Sequence, residues 1–203
     1  GGMNAVTPKI TGPSGRPVIR QLDESAINRI AAVIVVSWPV SAVQLSAVTW
    51  RAGVDVLSFG ATKNGAMAAE AVIFFDPDKA ADFAYRRKRA AHLFSKMRFL
   101  SAQLDAYLTD DLWLRLAGHA NAMAARLAAG LSALPGVTLA HPVEANELFV
   151  TLPEPMIQGL EDAGFGFYRW DGCTVRLVTA WNTDIHSVAK LLDVAGALIA
   201  RGK

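Results

Sequence analysis

The chain has 203 residues, 52% hydrophobic and 19% charged, a composition that builds a core and argues against disorder. Its 20 basic and 18 acidic side chains leave a net charge of +2, too even to make nucleic acid a partner on composition alone. One cysteine, Cys173, excludes an intramolecular disulfide framework and a multi-cysteine zinc site. His92, His119, His141 and His186 lack metal-ligand spacing, so no metal is expected.

Residues 1–46 stand apart. Gly1-Gly2 precede Met3, and Pro, Gly, Ser and Thr dominate as far as Arg20, the composition of an irregular lead-in. Ile30 to Trp50 carries no charged side chain, yet Ser37, Pro39, Ser41, Gln44, Ser46 and Thr49 interrupt it. A buried strand or helix is expected there rather than a membrane span. No charged n-region leads directly into an apolar run, so no secretory signal is read and the cytoplasm is the expected location.

Beyond Trp50 the pattern is regular. Val54–Phe59 and Glu70–Phe75 are short apolar runs, as in strands buried on both faces. A helix is expected over Asp78–Arg98, acidic at its start and basic toward its end. A second helix is expected over Asp110–Leu134, where Leu112, Leu116, Met123, Leu127 and Leu131 recur at helical spacing and Pro135-Gly136 supplies the stop. Strands follow at Val137–Ala140 and Glu147–Leu152, with a short helix at Pro155–Asp162. A hairpin of Phe165–Trp170 and Thr174–Ala180 turns on Asp171-Gly172-Cys173. Asp184 is the N-cap candidate for a last helix ending near Arg201. The expected layout of this part is two layers, helices on a mostly antiparallel sheet.

Gly60-Ala-Thr-Lys-Asn-Gly65, between the two apolar strands, is the segment with chemical potential. A lysine at a strand end among small residues leaves room for a planar ligand, and a free lysine amine forms Schiff bases with aldehydes. Thr62 offers a hydroxyl beside a phosphate, and the backbone N–H groups near Gly60 and Gly65 offer further donors. On spacing alone, a solvated surface lysine is the competing reading. Glu70 and Trp181 each admit a site role and an ordinary role, strand-end carboxylate or core ring. Cys173 has no nucleophile signal beside it.

Taken whole, Thr49-Trp-Arg-Ala-Gly-Val-Asp-Val-Leu-Ser-Phe-Gly-Ala-Thr-Lys-Asn-Gly65 resembles the low-specificity L-threonine aldolases, fold-type-I pyridoxal-phosphate enzymes of the β-eliminating lyase group. His92-Leu-Phe-Ser-Lys-Met-Arg-Phe-Leu-Ser101, Pro142-Val-Glu-Ala-Asn146 and Val175-Arg-Leu-Val-Thr-Ala-Trp-Asn-Thr-Asp184 extend the resemblance, which runs from Ala47 to the C-terminus. It implies an α/β fold. Residues 47–100 are then part of a fold-type-I large domain, and residues 101–203 are linking helices and a small α+β C-terminal domain. It also implies pyridoxal 5'-phosphate as cofactor and a homo-oligomer as assembly, with no membrane or nucleic-acid partner. The implied reaction is Cα–Cβ cleavage of threonine and other β-hydroxy-α-amino acids to glycine and an aldehyde.

By the same resemblance Lys63 matches the lysine that bonds the cofactor aldehyde, with Thr62 beside it. Arg176 matches the arginine that grips the substrate α-carboxylate through its planar fork. Arg98 matches a basic residue near the cofactor phosphate. Two readings of Lys88 stand: a basic position close to the site, or one member of the solvated run Arg86-Arg-Lys-Arg89. The family's Asp-Gly-Ala-Arg motif has Ile30-Ala-Ala-Val33 in its place, and residues 1–46 show neither the glycine loop nor the ring-stacking histidine. Impaired activity in this chain is therefore expected, with a non-catalytic, self-associating remnant as the alternative. A binding module on the basic helix is the third reading. Unpaired edges at the two apolar strands lead to an expectation of association.

Overall fold

The computed structural model describes residues 49–93 and 95–201, and the chain divides into two compact units between Trp113 and Leu114. The expectations for residues 1–46 and for all of 30–50 except Thr49 and Trp50 lie outside the described residues.

In the first unit β1 (Val56–Gly60) and β2 (Glu70–Phe74) pair antiparallel, from Val56 opposite Phe74 to Gly60 opposite Glu70. The runs are strands as expected, but they are buried on both faces only at the Val56–Leu57 and Ile73–Phe74 end. Val56, Leu57 and Phe59 are buried while Ser58 and Gly60 are exposed, and β2 is buried only at Ile73 and Phe74. Among the described residues these strands pair only with each other, and exposure is concentrated at the Ser58, Gly60 and Glu70 end of the pair. Val56, Phe74 and Ala80 form the local core, with Val72 and Phe83 packed against it.

The helix expected over Asp78–Arg98 is broken. Asp76 accepts the Asp78 N–H at 3.0 Å and caps a 3-10 turn, Pro77–Ala80, with proline at its first position. Helix α1 (Phe83–Arg89) then ends on Arg86, Arg87, Lys88 and Arg89. Four cations in a last turn face the negative end of the helix dipole, which makes the run a C-terminal signal rather than a mid-helix one. Ala91 and Lys96 follow with φ of 60° and 64°, left-handed values that no continuous α-helix accommodates. Helix α2 (Arg98–Leu108) therefore starts where the single helix was expected to stop. Helix α3 (Leu112–Ser132) follows Asp110 and Asp111, also left-handed at φ 50° and 55°, and runs from the first unit into the second.

The second unit matches the expected two layers. Strands β3 (Thr138–Leu139), β4 (Glu147–Thr151), β5 (Tyr168–Asp171) and β6 (Thr174–Val178) form a four-stranded sheet in the order β3-β4-β6-β5, antiparallel throughout. β5 and β6 join through Gly172-Cys173, with Gly172 at φ 50°, a position that suits a residue without a side chain. Period-2 alternation turns Leu148, Val150, Val175 and Leu177 inward. They meet Leu127 and Leu131 of α3, Met156, Ile157 and Leu160 of α4 (Glu154–Asp162), and Val188, Leu191 and Ala195 of α5 (Ile185–Arg201). Each fully buried leucine here contributes about 1.5–3 kcal/mol through loss of apolar contact with water. Asp184 accepts the His186 N–H at 3.2 Å, the expected N-cap of α5. A Cβ on Gly130 or Gly159 would sit 2.4 or 2.5 Å from the side chains of Leu192 and Leu198, so α3 and α4 each approach α5 across a glycine. With the helices on one face, the other face of the sheet presents Glu147, Phe149 and Arg176.

Candidate functional site

Strand β1 ends at Gly60, where an added Cβ would lie 2.3 Å from the Glu70 carboxylate, the movable end of an exposed side chain. Ala61 N–H donates to Ala69 O at 2.8 Å, and Asn64 and Ala66 N–H both donate to Ala61 O, at 3.0 and 3.1 Å. These bonds close a 3-10 turn, Thr62–Asn64, that leaves through Gly65 at φ 109°. Lys63 is its middle residue, exposed, with no ion pair or side-chain hydrogen bond among the described residues. Thr62 Oγ1 accepts the Ala69 N–H at 3.3 Å and keeps its own proton to donate.

Residues distant in sequence hold this turn in place. Asn64 Nδ2 donates to the Tyr107 hydroxyl at 2.6 Å and to Trp113 O at 3.0 Å. Gln103 Oε1 accepts from the Met67 and Ala68 N–H groups at 3.0 and 3.1 Å, tying α2 to the loop. Phe59 packs against the Tyr107 and Trp113 rings, with centroids 6.0 and 5.7 Å away. Burial raises the Tyr107 pKa, the hydrogen bond from Asn64 opposes that rise, and the Glu70 charge adds to it. Sequence reasoning missed Asn64, Gln103 and Tyr107. The available signals were an amide next to the lysine and a Gln/Tyr pair four apart, which shares one helix face.

Arg98 opens α2, the helix that Gln103 ties to the lysine loop, and its guanidinium lies 4.8 Å from the centroid of the Phe99 ring. Lys88 is exposed on α1, and no hydrogen bond or ion pair joins it to the lysine turn. Glu70 is exposed at the start of β2, against Gly60.

Arg176 belongs to the second unit, on β6 between Phe149 of β4 and Tyr168 of β5. Its Nε donates to the Glu147 carboxylate, while its terminal nitrogens make no hydrogen bond among the described residues. That leaves the planar edge a carboxylate needs for two parallel bonds. Phe149 stands edge-on to Trp170 at 5.1 Å and to His141 at 5.9 Å, so the arginine sits on an aromatic sheet face. Trp181 is 39% exposed rather than part of the core, and Cys173 is exposed in its turn. Among the described residues no group of His, Cys, Asp and Glu gathers as metal ligands, and no helix is long and apolar enough to cross a membrane.

The beta-eliminating lyase family matches residues 27–155, and the chain belongs to that family. The match starts upstream of Ala47, from which the sequence resemblance runs. Two relatives named low specificity L-threonine aldolase are similar over 144 residues: one from Pseudomonas aeruginosa at 50% identity and one from Pseudomonas sp. at 46%. Each alignment covers 70% of this chain and 42% of the relative, so the chain spans less than half the length of the relatives it matches. Among solved structures, a threonine aldolase of Leishmania major is similar at 31% identity with a TM-score of 0.69, over 80% of this chain and 48% of that one. The α-aminoadipate aminotransferase LysN of Thermus thermophilus shares the fold at 11% identity and a TM-score of 0.54, over 81% of this chain and 47% of that one. The chain is thus α/β and carries part of the fold-type-I architecture.

Proposed function

We propose that this chain is a threonine-aldolase-like lyase that uses pyridoxal 5'-phosphate to cleave β-hydroxy-α-amino acids, threonine among them, into glycine and an aldehyde. The observation that carries the reading is the Lys63 turn: an exposed lysine without a partner among the described residues, on a backbone tied at Ala61, Thr62, Asn64 and the Met67-Ala68 amides. The 50% identity to a low specificity L-threonine aldolase supports it.

The donor set fits the cofactor. Lys63 would supply the amine for its aldehyde, the Thr62 hydroxyl a donor and Arg98 a positive charge for its phosphate, while Lys88 would be a basic position on the substrate side. When bound, the cofactor supplies an electron-withdrawing ring that accepts the electron pair left as Cα–Cβ breaks. Arg176 orients the substrate by gripping its α-carboxylate, and Glu147, by holding Nε, leaves the two terminal nitrogens to do so. With the cofactor bound, the Lys63 amine would hold its aldehyde, and the same nitrogen would be placed to act as a base within the site. The working form is a cytoplasmic homo-oligomer acting on small amino acids.

The test is to add pyridoxal 5'-phosphate, reduce with borohydride and map the modified peptide. The expected adduct is weak, sits on Lys63, is lost in Lys63→Ala, and accompanies slow release of glycine and acetaldehyde from threonine, since activity is expected to be impaired in this chain. Modification spread evenly over the lysines would overturn the site. A Lys63 adduct without threonine cleavage would favour the non-catalytic remnant.

A further inference from the structure

The amide that follows Lys63 is fully committed. Asn64 Nδ2 has two protons; one goes to the Tyr107 hydroxyl at 2.6 Å and the other to Trp113 O at 3.0 Å. Successive side chains of a 3-10 turn project about a third of a revolution apart, so pinning Asn64 on one side directs Lys63 to another. The anchor itself is firm: Tyr107 is 5% exposed, and Phe59 packs against both its ring and Trp113. The two turn bonds to Ala61 O carry no side chain of their own, and the exit residue, Gly65, is the most permissive in the chain's alphabet. Gln103 ties the loop only beyond Gly65, at Met67 and Ala68, and Thr62 bonds to Ala69, so Asn64 is the residue of the turn whose side chain reaches a distant helix.

We infer that Asn64 and Tyr107 form a positioning clasp that fixes the turn carrying Lys63 and thereby the direction of its amine. The inference deepens the pyridoxal-phosphate reading and rests on it for its chemical consequence; the mechanical part stands on the hydrogen bonds alone. Neither residue touches the reacting atoms. Both act through Lys63, which makes them positioning residues, and neither is replaceable by packing: Tyr107→Phe keeps the ring contacts with Phe59 and removes only the hydroxyl that accepts from Asn64.

The experiment uses the full chain and two readouts. The first is amide hydrogen exchange without ligand. Tyr107→Phe is expected to speed exchange at Asn64 and Ala66 about tenfold, the factor set by loss of one buried hydrogen bond, and to leave exchange in residues 114–201 unchanged. The second is visible circular dichroism per Lys63 adduct after addition of pyridoxal 5'-phosphate. A lysine held in one direction gives the bound chromophore a signed band; in Tyr107→Phe and Asn64→Ala the band is expected to fall at least threefold while the adduct still forms by mass. Unchanged exchange in Tyr107→Phe overturns the clasp, and so does faster exchange with an undiminished band. Faster exchange with no Lys63 adduct in any chain supports the clasp and overturns the pyridoxal reading instead.

Discussion

In residues 114–201 a four-stranded sheet lays one whole face on three helices, and Leu148, Leu160 and Val175 lose all contact with water. In residues 49–113 two strands pair only with each other among the described residues, over a cluster of Val56, Phe74 and Ala80. The contrast shows two ways of fixing a side chain in space. The second unit places Arg176 by register: once Phe149 and Tyr168 flank it, its face of the sheet is decided. The first unit, with less apolar cover, places Lys63 by directional bonds, from Asn64 to Tyr107 and Trp113 and from the Met67 and Ala68 amides to Gln103. The Lys79–Asp55 ion pair ties the end of its strand pair in the same manner.

Core truncations should show the largest effects and test whether the two units are independent. Leu148→Ala is expected to cost about 2–5 kcal/mol and Phe74→Ala about 3–5 kcal/mol, since each empties a fully buried site. Hydrogen exchange followed by mass spectrometry should show the first change loosening residues 114–201 alone and the second residues 49–113 alone. Equal loosening of both units by either change would dissolve the distinction.

A smaller effect is expected where helices approach across glycine. Gly159→Ala gains about 0.5–1 kcal/mol of helix preference but forces the Leu198 side chain aside, an overpacking cost of about 1–3 kcal/mol. The net expectation is a loss of about 1 kcal/mol in urea unfolding of the second unit. A gain in stability would mean that α4 and α5 are free to shift.

The smallest effect belongs to Tyr107 and to alkaline pH. Its folded pKa lies above the ordinary value of 10.0, chiefly through burial, so folding favours the neutral phenol. The stabilising contribution is complete below pH 10.0 and is lost as pH rises from there through the folded value. Tyr107→Phe should flatten that alkaline limb in the first unit. A limb of unchanged steepness would show that another group carries it.

Much of this was legible in sequence where the cause is local. Lys63 sits in a six-residue segment bounded by Gly60 and Gly65, and the Asp184 cap, the Gly172-Cys173 turn and the alternation of β4 and β6 all follow rules that act within a few residues. The break after Arg89 was harder to read. Four cations end a helix as well at Arg89 as a single one does at Arg98, and the choice was made by backbone at Ala91 and Lys96. Partners of the site residues were beyond local reading altogether. Asn64 and Tyr107 are 43 positions apart and Glu147 and Arg176 are 29 apart, distances over which spacing says nothing.

By itself, then, the sequence determined the lysine turn, the arginine strand and the order of the elements in the second unit, because each depends on chain chemistry over one or two turns of structure. Only the tertiary structure decided that Tyr107 and Trp113 receive the Asn64 amide, that Glu147 takes the Arg176 Nε, and that the arginine emerges on the sheet face opposite the described helices. Those outcomes depend on register and on which helix returns to which strand, and these are settled when the apolar faces close, not along the chain.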